Sequence, residues 1–172
     1  MDKGQIKKFA IWARNELIER VTQKAQQYGI ESDECTDKAA TVINGRALSK
    51  TEIEQRKALI ERIAKYGYEQ VIDEVAYMWF NRFIALRFME VNQYLPTHVR
   101  VFTNDNDEFK PQLLSEALTV ELSGLDRNIV FELKEQNRDE ELYKYLLIYQ
   151  CNELNSIMPR IFPKLEDYTE LL

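Results

Sequence analysis

The stretch Val75–Val91 constrains this chain most, because 13 of its 17 residues are apolar. At 100° per residue, Ile72, Val75, Trp79, Phe83 and Leu86 form one stripe of a helix running from Tyr68 to about Val91. Tyr77, Phe80, Ile84 and Phe88 cover much of the remaining circumference, and a helix apolar nearly all round belongs inside a bundle. Arg82, Arg87 and Glu90 interrupt the run, and three charges in so short a stretch argue against a membrane span. A multi-helix, all-α bundle around this buried central helix is therefore the expected fold.

The flanking sequence supports that architecture. From Lys3 to Tyr28, the residues Ile6, Phe9, Ala10, Ala13, Leu17, Val21, Ala25 and Tyr28 recur at spacings of three and four, with Gly29 as a stop. An acidic loop at Glu31–Glu34 leads into a short helix expected over about Thr36–Ile43, ended by Asn44-Gly45. Ser49-Lys50-Thr51-Glu52 has the capping-box pattern and opens a helix to about Tyr66, which Gly67 breaks. His98 to Phe102 alternates like a short strand and Asn104 to Asp107 reads as a turn, so this is a connector or an isolated extended segment. Pro111 suits the first position of a helix to about Leu122. Further helices are expected from Asp126 and from Asn137 to about Ile157. Five glycines and four prolines are too few for a sandwich or barrel, and without repeats or low-complexity linkers residues 1–172 read as one helical domain.

Composition narrows the function. A net charge of −6 and a pI near 5.0 argue against a stand-alone nucleic-acid binder. The best local basic stripe is on the first helix, at Lys3, Lys7, Lys8, Arg14, Arg20 and Lys24, where a solvated helix face is the simpler explanation. The two cysteines, Cys35 and Cys151, are far apart and suit free thiols in a reducing cytoplasm, and no signal peptide precedes them. The closest glycines, Gly29 and Gly45, are 16 residues apart, which excludes a Gly-rich phosphate or dinucleotide loop. One histidine and two distant cysteines give no zinc spacing, and lone His98 reads as a surface residue. No catalytic, cofactor-binding or metal-binding residue is expected in this chain.

The charges of the central helix are the open question. Glu90 falls on the Trp79–Leu86 stripe with Arg87 one turn back, at a spacing that permits an ion pair. In one reading Arg82, Arg87 and Glu90 are internal struts. In the other they line a face that meets a partner domain or a phosphate backbone.

The run Glu74 to Val91, followed by Asn92 to Pro96, resembles the N-terminal region of the large adenine-specific DNA methyltransferases of BREX phage-defence systems, the PglX family. Supporting similarity lies in Phe9 to Ile18, Leu146 to Asn155 and Asp167 to Leu172. The resemblance implies methylation of adenine N6 in DNA with S-adenosylmethionine. Such enzymes carry a Gly-bearing cofactor motif and an Asn/Asp-Pro-Pro-Tyr/Phe motif. This sequence has neither, so no catalytic residue is carried over, and the cofactor belongs to the parent enzyme. The resemblance then implies a non-catalytic N-terminal domain, inactive alone, that packs on the catalytic domain of the same polypeptide and helps position DNA. The candidate DNA or interdomain contacts are Asn81, Arg82, Arg87 and Glu90. A protein–protein interaction module serving other proteins of the defence complex, without DNA contact, is the alternative.

Overall fold

A computed structural model describes residues 3–33, 37 and 39–165 of the chain. Helix α1 (Lys3–Gln27) ends where Gly29 takes φ +66°, with Ile30 N–H bonding Ala25 C=O and Gly29 N–H bonding Gln26 C=O. These two bonds are a Schellman cap, which requires a residue in the left-handed region. Helix α2 (Lys50–Tyr66) starts at Ser49, whose side chain accepts from Glu52 N–H while Glu52 accepts from Ser49 N–H, the reciprocal capping box. Helix α3 (Tyr68–Val91) follows across Gly67 at φ +89°. A second Schellman cap, with Gln93 at φ +58°, ends α3.

The expected helix over Thr36–Ile43 does not form. Thr36 and Lys38 lie outside the described residues, and Val42–Ile43 is instead strand β1, paired antiparallel with β2 (Arg46–Ala47). Asn44 and Gly45 take φ +49° and +78°, the two positive values of a type I′ hairpin turn, so Asn-Gly closes a hairpin rather than a helix. Val42 faces solvent, while Ile43 is packed on the core.

The remaining elements are α4 (Gln112–Ser115), α5 (Arg127–Glu135), α6 (Asp139–Glu153) and a 3₁₀ turn at Leu154–Ser156. The segment after Pro111 thus holds one helical turn rather than the expected helix to Leu122. Asp126 caps α5 by accepting Asn128 N–H at 2.8 Å. His98 to Phe102 forms no strand with any described residue. The protein is mainly α, with the small hairpin as its only sheet among the described residues. No described helix is long and apolar enough to cross a membrane.

Two compact units divide the described residues, one ending at Phe80 and the other comprising Asn81–Leu165. In the first, Val21, Ala25, Leu59, Ile63, Val71 and Val75 form the centre of a core drawn from α1, α2 and the first half of α3. In the second, α6 is the spine: Leu142, Leu146 and Cys151 are inaccessible, and α4 and α5 both pack on it. The composition of α3 predicts a helix enclosed all round, and the structure corrects this. Ile72, Val75 and Leu86 are buried, whereas Tyr77, Ile84, Phe88 and Val91 are exposed. On that side Phe88 meets the ring of Tyr94 at 6.0 Å, itself exposed, and periodicity alone does not reveal which face a neighbour covers.

Candidate functional site

The charged end of α3 is built around Glu90, whose side chain is completely inaccessible to solvent. Residues 101–103 have no strand neighbour, so their backbone donors need an acceptor from elsewhere. Glu90 provides it. Its Oε2 accepts Val101 N–H and Phe102 N–H, both at 2.6 Å, and its Oε1 accepts the Thr103 hydroxyl at 2.8 Å. Arg87, one turn back on α3, donates to the same Oε1 and also reaches Thr103 Oγ1 at 3.3 Å. The carboxylate thus gathers four donors, two of them backbone groups of a loop 11 and 12 residues further on. The cost of its burial is offset because the carboxylate is paired and hydrogen-bonded.

A second layer fixes the same loop. Tyr143 of α6 donates its hydroxyl to Val101 C=O at 3.1 Å. Burial pushes the Tyr143 phenol up to about 12, and the neighbouring Glu90 charge adds to the rise, so the hydroxyl stays a donor. Arg100 bonds Asn104 C=O at 3.1 Å and Asp107 Oδ1 at 2.5 Å, and the Asp107 carboxylate raises the guanidinium further above its usual range. Gln112 closes the loop by accepting Arg100 N–H and donating its own N–H to Thr103 C=O, each at 3.1 Å. The connector at 97–112 is therefore ordered by side chains rather than by a ladder.

These contacts sort the four candidate residues. Arg82 is fully buried and Glu90 has its carboxylate filled by neighbours. Asn81 is half-buried. Arg87 is tied to Glu90 yet keeps 40% of its side chain exposed, the most accessible charge of the cluster's Arg82, Arg87 and Glu90. Thr103, Arg100 and Tyr143 complete the cluster and carried no local signal in the sequence. A buried glutamate's need for donors was the only hint, and it did not say which ones. A cavity beside the cluster, lined by Glu90, Leu95, His98 and Arg100 among others, holds about 130 Å³. That is below the volume of ordinary small-molecule sites. No group of His, Cys, Asp and Glu among the described residues is arranged to hold a metal.

On α1, the basic residues are partly engaged. Arg14 pairs with Asp73 at 2.6 Å, Arg20 with Glu16 at 2.8 Å, and Lys24 lies over the Tyr28 ring at 5.5 Å. Lys3, Lys7 and Lys8 remain exposed.

Fold and site together define a mainly α-helical module whose best-built polar cluster is a structural staple. The whole chain aligns with part of the adenine-specific methyltransferase PglX of Lacticaseibacillus casei (strain Zhang) at 35% identity, and with BrxX of Escherichia coli O9:H4 (strain HS) at 32%. The chain thus corresponds in sequence to a small part of these two adenine-specific methyltransferases. It spans 16% and 15% of the length of these two relatives. No family model and no solved structure matches the chain.

Proposed function

We propose that this chain is the non-catalytic, helical N-terminal part of an adenine-N6 DNA methyltransferase of a phage-defence system. It packs on the catalytic part of the same polypeptide and helps position DNA, while S-adenosylmethionine and the methyl-transfer chemistry belong to the remainder. The observation that carries this reading is the alignment of the entire chain with 15–16% of two adenine-specific methyltransferases. Within it, Arg87 is the contact residue we favour, because its side chain is partly exposed while Glu90 and Arg82 are buried. Extruding an adenine from a duplex needs flanking contacts that hold the backbone, and an arginine suits that work.

A second reading, an interaction module without DNA contact, draws support from the net charge of −6. Salt separates the two. Phosphate contacts release counterions, so duplex affinity falls steeply with salt, with a log–log slope of about −0.9 per phosphate neutralised. Anisotropy titrations with the chain at several salt concentrations are expected to show such a slope, reduced in Arg87→Ala. A flat dependence favours the second reading, and methyl transfer by the 172-residue chain alone would overturn the non-catalytic assignment.

A further inference from the structure

We infer that the first three turns of α1 dock into the remainder of a PglX-type methyltransferase polypeptide; this rests on the proposed function above. The apolar stripe of α1 is continuous, but only its C-terminal part is covered. Ala13, Val21, Ala25 and Tyr28 are buried in the core of the first unit. Ile6 and Phe9, on the same stripe, are 43% and 50% exposed. Trp12 is 60% exposed and its ring sits 5.9 Å from that of Phe9. Single exposed apolar residues need no explanation, whereas an aromatic pair and an isoleucine extending a core stripe into solvent form a contiguous patch.

Charge selects the occupant. From Lys3 to Asn15 there are four basic residues and no acidic one. Two copies of the chain meeting through this face about a two-fold axis would bring like charges together. A phosphate backbone would satisfy the lysines but leave Ile6, Phe9 and Trp12 in water. An apolar groove with an acidic rim satisfies both. The relatives, of whose length the chain spans 16% and 15%, have ample further polypeptide to supply it.

The test uses a full-length methyltransferase of the family carrying this chain, with a benzophenone amino acid in place of Trp12. After irradiation, the cross-linked peptide is identified by mass spectrometry. The expected partner is a peptide outside the 172 residues, near acidic side chains. The cross-link disappears in Phe9→Glu. The double change Phe9→Glu, Trp12→Glu is expected to lower the melting temperature of the full-length enzyme and leave that of the 172-residue chain unchanged, since both side chains are already half in water. A cross-link within the 172 residues, to a second copy or to DNA overturns the inference, as does none at all. If the enzyme methylates adenine while the cross-link lies elsewhere, only the docking surface is wrong. If it methylates no adenine, the underlying functional reading falls and the docking surface with it.

Discussion

Removing Glu90 should cost this protein far more than removing the arginine that pairs with it. Glu90→Ala strands two backbone N–H groups of residues 101 and 102 and the Thr103 hydroxyl, all of which point at a carboxylate with no solvent access. A buried unsatisfied donor costs about 1–3 kcal/mol, and the hydroxyl can turn toward another acceptor, so the two amides dominate. The expected loss is about 3–5 kcal/mol, a large share of the ~5–15 kcal/mol typical of a domain. Arg87→Ala leaves the carboxylate with its three uncharged donors. Because Arg87 is 40% exposed, water replaces the guanidinium, and the cost falls to about 1–2 kcal/mol. Glu90→Gln keeps the shape but turns one acceptor into a donor facing a donor, and should fall between the two. Urea unfolding followed by circular dichroism gives the totals. Hydrogen exchange at the Val101 and Phe102 amides locates them, with protection lost in Glu90→Ala and largely kept in Arg87→Ala. Equal costs for the two alanine variants, or a loss below about 1 kcal/mol for Glu90→Ala, would refute the staple.

Two further outcomes follow from the first unit. Gly29 and Gly45 both have positive φ, so alanine at either is strained by about 1 kcal/mol. A Cβ at Gly29 would also lie 3.3 Å from two methyl carbons of Ile43, whereas at Gly45 it would meet nothing within 4 Å. Gly29→Ala should therefore lower the urea midpoint more than Gly45→Ala, and the reverse order would contradict the packing of the hairpin on α1's cap. Burial raises the Glu52 carboxyl, but hydrogen bonds from Ser49 N–H, Arg46 and Tyr28 outweigh it and bring the pKa down to about 2. A depressed folded-state pKa contributes stability that is complete above the unfolded value of 4.5 and lost as pH falls toward 2. The stability gap between wild type and Glu52→Gln should be open at pH 7 and narrow through that window; a gap independent of pH would show that the charge is irrelevant.

Much of the helical framework was legible because its signals are local. The Ser49–Glu52 box, the stop at Gly29 and the break at Gly67 act within one turn of the chain, and each appears where its residues stand. Asn44-Gly45 was legible as punctuation, but which structure it closes depends on Ile43 packing on the first unit's core. The resemblance read from residues 74–96 agrees with the alignment of the whole chain to part of two adenine-specific methyltransferases.

The tertiary structure alone decided three matters. It left Ile84 and Phe88 of α3 and Ile6, Phe9 and Trp12 of α1 uncovered, since an apolar stripe states only that a face prefers to be buried. It turned Glu90 from a candidate contact into the acceptor that orders residues 101–103, and left Arg87 partly exposed at its edge. It also ordered the 97–112 connector without a strand, through Arg100, Gln112 and Tyr143. The physical reason is common to all three. Periodicity and caps are short-range consequences of backbone geometry, whereas the burial of a charge depends on donors brought in from distant sequence.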